Sequence, residues 1–400
     1  MTSTRHSLRA LAALAAALLG AGLLITGPAA ATSAHGYTVS LGSFGARCDG
    51  QHDDKAALEA ALADVHQHGG GTLVIPTGTC RIVQTAASSI TSLQGPITLR
   101  GATSAATLSL DTDAPDRPGD FRELFGVTGP DVHLENFQLT RSSDVYSVFL
   151  DNYGTDGLRL DRMVINGRKD VFPVQYVEGL ELSPPVGEVV FDTKVTNSTF
   201  TNVNWGIFQA NPIPGTTKGF VVDHSTFKHN YADDLEFNAP SATMTEITVT
   251  NNSFSDNQYS APEGAAGVGV GMANAQYVKV AHNTFDGYFY SPIHIEDRSA
   301  NIDVIDNHFA NSFKLVRNYA SMVFIINDSH FVTVRHNVFD SSGNTNEVWC
   351  VYAGAGGGVA PPSYVTITDN TFLLRPNAHV IGNYDAGHVV LERNIVRQIP

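Results

Sequence analysis

The sequence predicts an all-β chain, a single-stranded parallel β-helix (solenoid) with a helix covering its N-terminal end. One phrase recurs along the chain: VTNSTF at 195–200, VDHSTF at 222–227, VTNNSF at 249–254, VAHNTF at 280–285, VIDNHF at 304–309, VRHNVF at 334–339 and ITDNTF at 367–372. Each copy alternates apolar and polar residues, which gives a strand with one buried face, and none shows helical periodicity. The closing residues Phe200, Phe227, Phe254, Phe285, Phe309, Phe339 and Phe372 are 27, 27, 31, 24, 30 and 33 residues apart. That period accommodates a coil of three short strands and three turns. The alternative is a β-propeller, whose blades run about 40–50 residues and carry other motifs.

Such a strand cannot bury its apolar face alone, so the copies must stack like on like. Phe then stacks on Phe in the core, with weaker copies ending at Leu139, Ile165 and Val396. Asn252, Asn283, Asn307, Asn337, Asn370 and Asn394 share the slot two residues earlier. An amide at a strand-to-turn corner can bond its own backbone and the next coil, so this row reads as a structural ladder and not as a ligand set.

Composition agrees. Charged residues make up 16% of the chain, against roughly 25% in an average domain. With 24 Lys+Arg against 39 Asp+Glu, the net charge is −15 and there is no basic field to neutralise nucleic-acid phosphates. The 36 Gly and 18 Pro suit many short elements joined by turns.

The N-terminus carries Arg5 and Arg9, an apolar stretch from Ala10 to Ile25, and Ala29 and Ala31 in an A-x-A arrangement. This is a secretory signal-peptide pattern, so residues 1–31 are expected to be removed and 32–400 to form one exported β-helix domain with no membrane span. Export permits disulfides. Cys48 and Cys80 flank one helix-plus-strand unit and are expected to pair, leaving Cys350, in the apolar run VWCVYA, as a buried thiol. No Cys/His spacing resembles a zinc site.

Residues 37–82 read as the cap and first coil. Asp53 or Asp54 can cap a helix from Lys55 to about His66, with Ala57, Leu58, Ala61, Leu62 and Val65 as its apolar stripe and Gly69–Gly71 at its end. TLVIP follows as a strand. Phe44, Gly45, Ala46, Asp49, Gly50, Asp53, Asp54, Gly70, Gly71, Thr72, Ile75, Pro76 and Gly78 closely resemble the N-terminal signature of the pectate-lyase-like superfamily, in the branch that includes glycoside hydrolase family 28. With the Asn/Phe coils, the resemblance covers almost all of residues 32–400. It implies a right-handed parallel β-helix and a carbohydrate substrate.

A second strand lies between successive phrases. Aligned by distance from each Phe, WGIFQA, DDLEFNA, GVGVGMA, PIHIEDR and MVFIIND place Ile207, Leu235, Val268 and Ile293 inward. The alternate positions then face out: Gly206, Asp234, Gly267 and Pro292 in one row, and Phe208, Glu236, Gly269, His294 and Phe324 in the next. Asn238, Gly271 and Glu296 fall in a third. This describes a glycine-floored groove with Asp233, Asp234 and Glu236 on one side and His294, Glu296, Asp297 and Arg298 on the other. Trp205, Phe208, Tyr176 and Phe324 would offer flat faces to sugar rings. The plainer reading is a small-residue coil whose turn acids bond backbone amides.

Two carboxyl groups suit glycoside hydrolysis, one protonating the leaving oxygen and the other activating water or attacking. Asp233, Asp234, Glu236 and Glu296 are the catalytic candidates, with His294, Asp297, Arg298, Trp205, Phe208 and Tyr176 binding substrate. Asp233-Asp234 resembles the paired aspartates of family 28. That family's Gly-His-Gly is absent, since GVGVG has no histidine, and EDRS supplies Arg298 where the family has Arg-x-Lys. The expectation is a secreted glycoside hydrolase acting on a polysaccharide or oligosaccharide without a cofactor. The alternatives are a polysaccharide lyase using Arg298 and Ca²⁺ at the acid cluster, and a non-catalytic carbohydrate-binding or adhesin solenoid.

Overall fold

The computed structural model describes residues 36–400 except 86–90, 113–120, 210–214, 239–243, 259–266, 313–320 and 357–358. The expected signal peptide, residues 1–31, lies outside the described residues. The chain winds into a right-handed solenoid of about 11 turns, with each turn adding one strand to each of three parallel sheets. Among the described residues these sheets hold 15, 13 and 11 strands. The third sheet, from Thr91–Leu93 to Ala378–Tyr384, carries the site discussed below. No described helix is long and apolar enough to cross a membrane.

The repeat phrase forms the corner between the first and second sheets. Its closing residues lie in register from Leu139 and Ile165 through the phenylalanines to Val396. Rings from Phe200 to Phe372 stack nearly parallel with centroids 4.7–5.1 Å apart, the spacing of adjacent coils. The Asn row is a continuous ladder. From Asn283 to Asn394 each Oδ1 accepts the backbone N–H and the Nδ2 of the Asn one coil earlier, as Asn307 does from Asn283 at 2.9 and 3.1 Å, and Asn252 accepts the Ser225 N–H. The residue before each rung from Asn252 to Asn370 (Asn251, His282, Asp306, His336 and Asp369) has φ between 55° and 58°. That left-handed corner is tolerated best by short polar side chains, which is what the phrase supplies.

At the N-terminal end the helix Lys55–Gln67 buries Leu58, Ala61, Leu62 and Val65 against the first coils. Its cap divides between the two aspartates. Asp53 accepts from the N–H of Lys55 at 3.0 Å, while Asp54, in the capping position, instead holds the N–H groups of Arg47 and Cys48. A disulfide joins Cys48 to Cys80, and Cys350 is a buried free thiol in the third sheet.

Candidate active site

The strands Trp205–Gln209, Leu235–Asn238, Val270–Ala273, Ile293–Glu296 and Ser321–Ile326 succeed one another in the third sheet. Ile207, Leu235, Val270, Ile293 and Val323 are register partners and point into the core. The outward row next to them is Phe208, Glu236, Gly271, His294 and Phe324. Two residues further along, Asn238, Ala273 and Glu296 form a second outward row.

This corrects the sequence alignment at one coil. Gly271, not Gly269, stands between Glu236 and His294, because Gly267 turns the chain at φ 71° and Val268 and Gly269 serve as lead-in. Gly206 and Gly269 face inward: a Cβ there would sit 3.0 Å from the Phe227 and Phe285 rings. Their glycine identity follows from the interior Phe stack, not from a ligand. At Gly271 a Cβ would meet nothing closer than 3.5 Å. Gly271 and Ala273 therefore form a low floor between two acidic coils.

Over that floor lies a cavity of about 170 Å³ lined by Asp233, Glu236, Asn238, His294 and Glu296, with Val268 and Met272 as apolar walls. Asp233 leaves the corner just before its strand, and its Oδ1 accepts the Val268 N–H at 2.8 Å. Asp233 and Glu236 share a hydrogen bond between their carboxyl groups. Asn238 Nδ2 donates to Glu236 Oε1 at 3.3 Å. Burial, then the Asp233 charge, raises the Glu236 carboxyl well above the usual range. Burial lifts Asp233 to about 6 against the opposing Val268 N–H. Glu296 is pushed to about 7 by burial and then by the charges of Asp297 and Asp233.

His294 is held neutral by burial, its pKa lowered to about 4. Its Nε2 approaches Glu296 Oε2 at 3.5 Å and has no hydrogen-bond partner among the described residues. The ring is fixed at 5.0 Å from Phe324 and 6.1 Å from Tyr290.

Several candidates fall elsewhere. Asp234 does not face the groove: it is 1% exposed and bonds Tyr288 and Asn230 inside the coil. Asp297 and Arg298 lie in the turn after the strand at φ 51° and 66°, where Asp297 accepts from Asn327 Nδ2 at 3.0 Å and Arg298 is exposed. They are not pocket walls because the turn carries the chain away from the sheet face. Phe208 and Phe324 are 6% exposed, the first tilted against Trp205 and the second edge-on to Tyr290, and offer no open ring face. Trp205 and Tyr176 are half-buried, tilted against each other at 5.5 Å in coils before the pocket. The outward row also holds acids before the pocket, Asp151 and Glu181, which precede Phe208. The sequence reading missed Val268 and Met272 as pocket walls, which the two-residue register shift of their coil brings there, and the hydrogen bond of Asn238, made to Glu236 within one strand.

Ligand atoms taken one each from Asp233, Glu236 and Glu296 do not all lie within 4.8 Å of one another.

The family model described as "Right handed beta helix region" matches residues 188–372. No curated protein matches the sequence. Among solved structures, DFA-IIIase from Arthrobacter chlorophenolicus A6 superposes with a TM-score of 0.55 at 11% identity, covering 90% of this chain and 94% of that one. The Streptococcus pneumoniae surface adhesin PfbA gives 0.50 at 13% identity, over 88% of this chain and 91% of that one. The A-module of the Azotobacter vinelandii mannuronan C-5 epimerase AlgE6 gives 0.46 at 16%, over 90% and 99%. The shared feature is the right-handed β-helix. At these identities the likeness is one of fold, and function must be argued from the β-helix's own pocket.

Proposed function

We propose that this β-helix is an exported glycoside hydrolase in which Glu236 is the general acid and Glu296 the general base. The observation that carries this is the placement of two glutamates of different environment across the Gly271–Ala273 floor. Their Cα atoms are two coils (~9.6 Å) and two residues (~6.6 Å) apart, about 12 Å on the diagonal. From there, two glutamate side chains can reach the ~6.5–9.5 Å carboxyl separation that leaves room for a water. Glu236, its proton retained by burial and by the neighbouring Asp233 charge, suits protonation of a leaving oxygen. Glu296, near 7, is largely ionised above neutrality and suits activation of water.

Neutral His294 and Asn238 add donors and acceptors for sugar hydroxyls. The described walls include no Lys or Arg. Asp233 and Glu296, charged above neutrality, repel a uronate, so neutral glycans fit this pocket better than the polyuronates a lyase would take. DFA-IIIase, by its name a carbohydrate-active neighbour with a TM-score of 0.55, is in keeping with that reading.

A glycan panel tests it. Xylan, starch and inulin, beside polygalacturonate and alginate, are scored for new reducing ends and for ultraviolet absorbance. Reducing ends without absorbance, lost in Glu236→Gln, are expected. Absorbance on a polyuronate would establish a lyase, and no cleavage with retained glycan binding would establish a binding solenoid.

A further inference from the structure

Asp234 is the acid of the DDLE segment that the pocket does not use. Its carboxyl turns into the coil interior, where the Tyr288 hydroxyl donates to Oδ2 and Asn230 Nδ2 donates to Oδ1 at 2.6 Å. Both partners are fully buried. Asn230 is itself fixed, accepting the Val203 N–H at 3.2 Å and donating to the Phe200 carbonyl at 3.3 Å. The Tyr288 ring lies edge-on to Phe285 at 6.2 Å.

An ionisable group costs free energy in such a place even when bonded. Other coils put glycine beside the Phe stack here, at Gly206 and Gly269. Packing alone therefore does not require an acid at this position. One peptide away, Asp233 turns outward and is held by the Val268 N–H. Two successive carboxyl groups thus leave one corner in opposite directions, each tied down by other coils.

We propose that Asp234 is a positioning residue: the Tyr288–Asp234–Asn230 bridge sets the direction in which Asp233 leaves the corner, and so holds the Asp233 carboxyl beside Glu236. The inference rests on the hydrolase reading and concerns how Asp233 is held beside the acid. The polar and titratable groups facing Asp234 are Asn230 and Asp233 from its own coil and Tyr288 from two coils on; no described cation is among its partners. Burial raises Asp234 to about 7. The Asp233 charge raises both Glu236 and Glu296, so a loosened bridge that lets Asp233 turn away lowers both.

The test compares pH–rate profiles of the full chain on the glycan cleaved in the panel, for wild type, Asp234→Asn, Tyr288→Phe and Glu236→Gln. In Asp234→Asn both limbs should move to lower pH by about half a unit to one unit, with kcat down about tenfold and KM within about twofold. Tyr288→Phe removes one anchor of the bridge while Asn230 keeps the other, and should move both limbs the same way by less. It keeps the test open if Asp234→Asn does not fold. Wild-type midpoints in both variants, with only a lowered Tm, would overturn the proposal and reduce the bridge to packing. Loss of Asp234→Asn activity at every pH beside an unshifted Tyr288→Phe would also overturn it, by making Asp234 catalytic. If Glu236→Gln is inactive while the midpoints stay put, only this proposal fails. If Glu236→Gln keeps wild-type turnover, the hydrolase reading fails and the proposal with it.

Discussion

Asp233 and Glu236 share a hydrogen bond between carboxyl groups that leave the chain three residues apart, one from a corner and one from a strand. Two like-charged groups at this distance cannot both ionise easily, so the pair retains a proton near neutrality. Glu236→Gln removes the donor proton while keeping the side chain's shape. kcat should fall about 10²–10⁴-fold, the usual worth of a general acid, with Tm at pH 7.5 unchanged or higher. Steady-state kinetics and a thermal melt on one preparation check this together.

The pH–rate profile should be bell-shaped. Glu296 must be ionised, so activity rises with pH through about 7. Glu236 must be protonated, so activity falls again as pH passes its raised value. Glu296→Gln should abolish most turnover, with added azide restoring part of it if Glu296 acts as base. No rescue in an otherwise folded variant counts against that role.

Stability should fall as pH rises from about 4 to above 7. Asp233, Asp234 and Glu296 titrate at about 6, 7 and 7 in the fold, and Glu236 higher still. Their folded values exceed the unfolded ones near 4, so over this window the native state holds more protons. Their stabilisation is complete below about 4 and is lost as pH rises through the folded values. His294, depressed to about 4, acts in the opposite sense between about 6.5 and 4, but it is one group against four. Melts from pH 5 to 8.5 should show Tm lower by a few degrees at the alkaline end, with a smaller drop in Glu296→Gln.

Two glycines one turn of logic apart should behave differently. Gly271→Val places methyl groups over the open floor, where the nearest atom to a Cβ is 3.5 Å away, so KM should rise without loss of stability. Gly206→Ala sets a Cβ 2.5 Å from the Asp234 carbonyl oxygen and 3.0 Å from the Phe227 ring. It should cost about 1–3 kcal/mol, read by urea denaturation.

The ladder has its own signature. Asn307→Ala leaves the buried Asn283 N–H and Nδ2 without their acceptor and should destabilise the fold by about 2–3 kcal/mol, with the pocket's kinetics unchanged.

Much of this was legible in the sequence because a solenoid repeats its environment. Stacked coils give each phrase the same neighbours, so Phe met Phe and Asn met Asn as the spacing implied. The cap was readable from its apolar stripe, and Glu236, Glu296 and His294 from strict alternation on short strands. Alternation fails where a strand meets a corner. Asp234 sits at that junction, and its inward turn depends on Tyr288, 54 residues later in sequence. Asp297 and Arg298 fail for the same reason at the strand's other end, where left-handed backbone leads away from the sheet.

The sequence by itself determined the architecture, since period, alternation and the stacked Asn/Phe slots leave a chain of this composition one way to bury its apolar face. It also placed Glu236, His294 and Glu296 on nearby coils of one sheet face. Only the tertiary structure decided which acids meet. Register between coils depends on how many residues each turn consumes, and a slip of two residues preserves the inward–outward pattern while changing every neighbour. The Gly267 turn consumes those two residues, sets Gly271 beside Glu236 and Ala273 beside Glu296, and so opens the floor over which the two glutamates face each other.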